Sequence, residues 1–316
     1  MHLFERRPEL LLTAITLLWG STFVVTEDMV RGMAPLPYLV LRFGAAALVL
    51  GAIYRKQLAR ASLRTFADGA VLGALLALGL GLQVFGQVFT TASKSAFVAS
   101  LSTALVPPLA FALHGEPPEK RQVQAVALAS FGLLLLTWPA PAEHDFNRGD
   151  VLIAFSAIVY AAVIVETARR ARRSPSGPLT TLQIGFAALL FLLALLLARA
   201  LPPPPPGSPA LARLDALERL PFAPTAWQWA QIAYMALACT VVTSLAQTWS
   251  MARMSAARAA VVFALEPVFA TILAIAVEGS AERPSARGAV GASLILAGVV
   301  ASEIRRRAPI PLPEIN

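Results

Sequence analysis

The residues of this chain that are equipped for chemistry are few, and they stand inside long apolar blocks. Gln83 and Gln87 are four residues apart, as are Thr243 and Gln247, a spacing that puts each pair on one helix face. A primary amide donates and accepts hydrogen bonds without carrying charge. Two such pairs turned to one centre can hold a small polar molecule, or they can tie helix to helix at about 0.6 kcal/mol per bond. Trp19 and Tyr160 lie well inside their blocks, with Ser21 and Thr22 beside the first. Rings at that depth wall a cavity, stack on an apolar surface or pack. Glu266 is the deepest carboxylate and precedes Pro267. That proline removes a backbone N–H and leaves the Phe263 carbonyl without its usual partner, so the helix should bend there. A buried acid at a bend can bind a proton and act as a gate, or it can pair with Arg42 as a structural ion pair. The depths of Arg42 and Glu266 differ by only about 5 Å at ~1.5 Å per residue.

These residues need a scaffold, and the composition identifies its solvent. Of 316 residues, 57% are apolar and 14% charged, against about 25% charged in a soluble domain. Too few charges remain to coat a water-facing surface. The apolar residues fall in blocks near the ~20 residues that cross a hydrocarbon core. The net charge of +8 comes from short Arg and Lys clusters between the blocks, which marks topology beside anionic headgroups rather than nucleic-acid binding. The single cysteine, Cys239, allows no disulfide framework. His2, His114 and His144 fall in the N-terminus or in expected loops, so no metal or cofactor is expected. Neither a phosphate-binding G-x-x-x-x-G-K-[ST] loop nor a catalytic pair of an intramembrane enzyme is found within the blocks.

Ten spans are expected, at 10–26, 35–54, 67–89, 95–113, 121–138, 149–166, 179–201, 227–250, 257–277 and 286–303, with breakers such as Pro117-Pro118 and Pro139 between them. With the N-terminus inside, the cytoplasmic segments hold 17 Arg and Lys against 8 outside. That excess puts both termini of a multi-pass protein in the cytoplasm of a cell inner or plasma membrane. The outer connection 202–226 opens with Pro202 to Pro206. Leu211, Leu214, Leu217 and Leu220 then follow beside Arg213, Asp215, Glu218 and Arg219, which suggests a short amphipathic surface helix or a disordered linker. Glu166 is expected in a solvated pair with Arg169 and Arg170, and Lys94 and Arg258 at headgroups. Gly69 with Gly73, and Gly288, Gly291 and Gly298, should be close-packing surfaces.

The chain also matches itself. An offset of 141 pairs Trp19 with Tyr160, Pro37 with Pro178 and Arg42 with Gln183. An offset of 160 pairs Gln87 with Gln247 and Pro107 with Pro267, and one of 166 pairs Arg121 with Arg287 and Gly132 with Gly298. The halves are 1–139 and 140–316. Five spans in each is an odd number, so the second half must enter from the opposite side as an inverted repeat, an arrangement that encloses one central site.

The stretches LLWGSTFVVTED (17–28), LRFGAAAL (41–48), GLQVFGQVFTTASKSAFVASLSTALVPPL (81–109), AQTWSMARMSAARAAVVFALEPVFATILA (246–274) and GAVGASLILAGVV (288–300), in this order, resemble the EamA-type branch of the drug/metabolite transporter superfamily. The resemblance covers nearly the whole chain. It implies an all-α integral membrane protein, ten helices in a 5+5 inverted repeat, and a permease rather than an enzyme. The expected function is a secondary transporter, an exporter of small polar metabolites such as amino acids. Its substrate residues would be Trp19, Thr22, Gln83, Gln87, Tyr160, Thr243 and Gln247, and its coupling or gating residues Glu266, Pro267 and Arg42. Partners would be a small-molecule substrate, membrane lipids and protons as coupling ion, in a monomer or homodimer. A non-transporting scaffold or sensor, and a nucleotide-sugar or drug-like cargo, are the alternatives.

Overall fold

The computed structural model describes residues 8–115, 117, 119–137, 147–202, 209–219, 222–269 and 286–303, and all their regular structure is helical. In order these are α1 (Pro8–Gly20), α2 (Thr22–Gly32), α3 (Pro35–Leu58), α4 (Leu63–Gln87), α5 (Ala92–His114), α6 (Lys120–Thr137), α7 (Arg148–Arg170), α8 (Ser176–Ala200) and α9 (Pro209–Glu218). Then come α10 (Ala226–Ala236), a π-helical turn (Leu237–Val242), α11 (Thr243–Met251), α12 (Ala256–Phe263) and α13 (Ala286–Glu303). Side-chain oxygens of Ser62, Thr91, Asn147, Thr225 and Ser255 accept from the first-turn amides of α4, α5, α7, α10 and α12, satisfying donors that a helix start leaves open. Gly115, at φ 65°, closes α5 in the left-handed conformation, as glycine does without penalty.

Seven stretches are long and apolar enough to cross a membrane: Pro8–Gly32, Pro35–Leu58, Leu63–Gln87, Lys94–His114, Arg148–Arg170, Ser176–Ala200 and Ala226–Met251. The expected ten are therefore not all established. α6 opens on Lys120, Arg121 and Gln122, the apolar part of α13 is only Ala286–Ala301, and the expected ninth span runs past residue 269, outside the described residues. The proline run beyond Pro202 also lies outside them.

The helices pack in a regular scheme. α3 lies on α8, α4 on α7 and α8, α5 on α7, and α6 on α13, while α1 meets α11 and α12. Glycines decide how close they come. A Cβ on Gly132 would stand 2.6 Å from the Gly291 carbonyl oxygen, and one on Gly298 would stand 2.9 Å from that of Ala125. α6 and α13 thus run antiparallel with their backbones in contact. The 166-residue offset turns the first of these contacts into the second, as a twofold axis does at an isologous interface. Gly73 does the same work against α8, where a Cβ would meet the Gln183 carbonyl oxygen at 2.6 Å.

Ion pairs close both ends of the bundle. At the end assigned to the cytoplasm, the buried Asp68 of α4 takes Arg170, Arg173 and Ser174. Glu166 joins Arg170 at 2.8 Å and His114 at 2.7 Å. Glu166 is only 8% exposed, so it is a buried bridge between α5 and α7 and not the solvated pair expected. At the opposite end Lys94 meets Asp150 at 2.7 Å, both buried. Arg258 meets Glu9 at 2.6 Å. Neither cation is the headgroup anchor its sequence position suggested.

The connection after α8 does form an amphipathic helix, α9. Leu214 and Leu217 join the core that contains Met29, Tyr38 and Met235. Glu218, expected on its polar face, is turned inward. Its Oε1 accepts from the Leu36 backbone N–H at 2.9 Å, so a carboxylate from α9 caps the start of α3. Burial outweighs that bond and nearby Arg199 and pushes the Glu218 carboxyl up to about 7.

Two outcomes follow from these contacts. Gly132→Val should separate α6 from α13, costing about 1–3 kcal/mol through overpacking, seen as a lower thermal midpoint in detergent, with Gly51→Val, which meets nothing within 4 Å, as the control. The seating of α9 should be pH-dependent. An acid raised from 4.5 to about 7 holds its proton more tightly when buried, so docking is strongest at low pH and weakens as pH rises through about 7. A smaller protection factor for α9 at pH ~8 than at pH ~5, with the pH dependence of intrinsic amide exchange divided out, would report this, and Glu218→Gln should flatten the difference.

Candidate functional site

The helices enclose a central cavity of about 170 Å³, lined by residues of α1 to α8, the π-helical turn, α11, α12 and the segment that follows α12. Its wall is mixed. Trp19, Phe23, Phe43, Tyr160 and Phe263 supply rings; Gln83, Gln183 and Gln247 supply amides; Thr22, Thr26, Ser100, Thr240 and Ser244 supply hydroxyls. Among the described residues, two side chains of the acidic or basic types line this space, Arg42 and Glu266.

Local structure places each group. In the first stretch Ser21 separates α1 from α2. The hydroxyls of Ser21 and Thr22 donate to the Leu18 and Trp19 carbonyls at 2.8 and 2.9 Å, local bonds that compete with the helical ladder. Trp19 rests against Phe263 of α12 with ring centroids 5.3 Å apart. At Pro267 the expected bend is a break. α12 ends at Phe263, a turn occupies 264–265, and helix resumes at 266–269. Glu266 stands at that break, facing the cavity, with no hydrogen bond or ion pair to another described residue. Pro107, its mate at the 160-residue offset, stays inside an unbroken α5.

Arg42 of α3 is 6% exposed. Its Nε donates to Thr240 Oγ1 at 2.9 Å, Nη1 to the Tyr38 hydroxyl at 3.3 Å and Nη2 to the Cys239 carbonyl at 3.4 Å. Every one of these partners is neutral. The pairing of Arg42 with Glu266 considered from their depths is not formed. Both face the cavity, but the guanidinium is held by α3 itself and the π-helical turn.

Of the ten residues singled out from sequence, eight line the cavity: Trp19, Thr22, Arg42, Gln83, Tyr160, Gln247, Glu266 and Pro267. Gln87 and Thr243 do not. Gln87 is the last residue of α4, is 3% exposed, and donates to the Phe23 carbonyl at 3.3 Å, so it ties α4 to α2. Thr243 is fully buried and donates to the Cys239 carbonyl at 2.8 Å. Thr243 keeps its four-residue spacing to Gln247 within α11, but its hydroxyl is committed to that carbonyl of the preceding π-helical turn. Sequence reasoning passed over Gln183, although its match with Arg42 was a usable signal. It also passed over Thr240 and Ser244, which share a helical face with Gln247. Among the described residues no group of three or more His, Cys, Asp or Glu side chains is placed to hold a metal ion.

The model of the EamA-like transporter family matches residues 6–138 and 147–302. The chain belongs to the EamA-like transporter family. It is also 27% identical over 302 residues to an uncharacterized transporter of Archaeoglobus fulgidus, covering 93% of this chain and 85% of that protein. A solved structure described only as the crystal structure of a protein superposes with a TM-score of 0.66 at 19% identity, over 92% of this chain and 95% of the other. That likeness speaks for the fold alone. A member of this family is a multi-pass membrane transporter, and a transporter binds a small-molecule substrate. Gln83→Leu and Gln247→Leu should therefore slow substrate uptake into proteoliposomes several-fold without lowering the thermal midpoint. Gln87→Leu should do the reverse, with a stability loss on the order of 0.6 kcal/mol and unaltered uptake.

Proposed function

We propose that the protein is a secondary transporter, an exporter of small polar metabolites such as amino acids, working by alternating access between two inverted five-helix repeats, 1–139 and 140–316. Both termini lie in the cytoplasm of the inner or plasma membrane on this reading. The observation that carries it is the cavity itself. A chamber of mixed lining that contains an acid and a cation, set among helices of membrane length and walled from both chain halves, is costly to maintain in hydrocarbon unless a polar molecule uses it.

Several features support the inverted-repeat mechanism. The family model matches two stretches, one in each half. α6 and α13, equivalent by the 166-residue offset, run antiparallel through contacts that exchange with one another. The pairings of α4 with α7 and of α11 with α1, of α5 with α7 and of α12 with α1, also exchange when the halves do. A fold with such a relation can close one end while opening the other by swapping the conformations of its halves. The ends carry different locks to be broken in turn, Asp68 with Arg170 and Arg173 at one, Lys94 with Asp150 at the other.

Glu266 is the coupling group in this scheme. Its carboxylate faces the cavity at the break in the α12 helix, where it can take a proton in one state and release it in the other, and Trp19, Thr22, Gln83, Tyr160 and Gln247 bind the substrate. The test is transport of labelled amino acids by proteoliposomes with and without a pH gradient. Saturable, gradient-stimulated flux is expected in the native protein. Glu266→Gln should retain substrate exchange at zero gradient and lose the stimulation. An unchanged gradient response in Glu266→Gln would overturn the coupling role, and a complete absence of saturable flux from the native protein would overturn the transport mechanism.

A further inference from the structure

Arg42 is harder to account for than Glu266. A carboxyl group can shed its charge by binding a proton, whereas a guanidinium stays charged. A buried cation in a membrane bundle is costly without a counter-ion, yet the hydrogen-bond partners of Arg42 are a hydroxyl, a phenol and a carbonyl, and the Phe43 ring lies 5.4 Å from its guanidinium. Those bonds take three of the five N–H donors that a guanidinium carries. Two donors and a full positive charge remain on a residue that lines the cavity.

From this geometry we infer that Arg42 binds a carboxylate of the transported molecule and is the specificity-determining cation of the cavity, held in its working orientation by Thr240. The inference rests on the cavity being the transport site. Thr240 lies on the π-helical turn Leu237–Val242. Its hydroxyl donates to the carbonyl of Met235, five residues earlier, at 2.8 Å. That bond reaches a carbonyl which the wider circuit of a π-turn brings into range. With its one hydrogen committed to Met235, the Thr240 oxygen can only accept, and Arg42 Nε donates to it. The Cys239 carbonyl on the same turn receives Nη2. The π-turn therefore grips the guanidinium on one side and leaves the rest of its fork for a ligand. Turns of this type recur at functional sites because they present groups that a regular helix would bury in its own ladder.

The anion has a definite size and charge. Two free N–H donors match the two oxygens of one carboxylate. A phosphate dianion would meet a single guanidinium among the described residues that line the cavity. Orientation is specified as well. The repeat mate of Arg42 is Gln183, which lines the cavity too but carries no charge. The mate of Glu266 at the 160-residue offset is Val106, an apolar buried residue. Each charge thus breaks the symmetry of the halves, so the ligand binds with its carboxylate toward α3 in one sense only.

Binding is the direct test, made on the full chain in lipid nanodiscs. The common L-amino acids and their α-amides are screened by thermal stabilisation, and affinities of the best acid and its amide are then measured by calorimetry. The native protein should prefer the acid. Arg42→Gln should weaken the acid by about tenfold or more, the scale of a lost charge-assisted hydrogen bond, and leave the amide unchanged, so that the preference disappears. Thr240→Val should erode the same preference by a smaller factor and Thr240→Ser should restore it, which a merely structural role for the hydroxyl would not do. If Arg42→Gln does not fold, the Thr240 pair and Arg42→Lys, which keeps the charge but loses the fork, carry the comparison. The proposal is overturned if an Arg42 or Thr240→Val variant keeps the native preference, if the native protein does not distinguish acid from amide, or if no acid in the panel binds. Saturable flux that persists unchanged in Arg42→Gln sinks this inference and leaves the transport reading standing. Carboxylate binding through Arg42 without flux of any tested compound does the opposite.

Discussion

Hydrocarbon offers no hydrogen bonds. In a chain with 14% charged residues and apolar blocks of spanning length, that single constraint orders the rest of the structure. Backbone polar groups must be satisfied within each segment, so the described segments are helical. Side-chain polarity must find a partner or a cavity. The buried ions divide accordingly. Asp68, Glu166, Lys94 and Asp150 are paired at the ends of the bundle, where they lock helices together. Arg42 and Glu266 face the interior space instead, and the neutral oxygens around Arg42 position its charge without cancelling it.

Because hydrocarbon exerts no hydrophobic pull between helices, close approach comes from small residues. Gly132, Gly291 and Gly298 let α6 and α13 touch along their backbones, and Gly73 lets α4 approach α8. Contacts that tight fix the distance and rotation of neighbouring helices, so they also fix which faces turn to the centre. The same rigidity confines any change of shape to places where the ladder is already interrupted: Ser21 between α1 and α2, the π-helical turn, and residues 264–265 before Pro267. All three interruptions border the cavity, through Thr22, Thr240 and Glu266.

Much of this was legible in the sequence for a physical reason. Spanning length, breaker prolines and the four-residue spacing of polar side chains follow from helix geometry and bilayer thickness, which do not depend on tertiary detail. Gln83, Gln247, Trp19 and Tyr160 were found that way. The misses share a different cause. Gln87 and Thr243 satisfy the same spacing as their neighbours, but one sits where its helix ends against the Phe23 carbonyl and the other commits its hydroxyl to the Cys239 carbonyl of the π-turn. Neither a helix end to within a residue nor a π-turn has a compositional mark. Glu218 reads as a solvent-facing residue of an amphipathic helix, and only the docked position of α9 shows that its carboxyl group meets the start of α3. Lys94, Arg258 and Glu166 read as surface charges because their partners lie far away in the chain.

The two halves share helix packing but differ in the cavity, and that combination is what a directional machine requires. An enclosure with perfect twofold symmetry would present the same groups in both orientations and hold a ligand equally well either way round. Here the shared features include the glycine contacts of α6 and α13 and the match of Trp19 with Tyr160. The differences gather at the centre, where Arg42 faces Gln183 as its counterpart, Glu266 replaces a buried valine, and Pro267 interrupts a helix while Pro107 does not. On the proposed mechanism, symmetry in the scaffold would allow two equivalent ways of closing, and asymmetry in the lining would make those two states bind differently. A ligand can bias an equilibrium only through such a difference in affinity, so in the proposed transport cycle the departures from the repeat, more than the repeat itself, would carry selectivity and coupling.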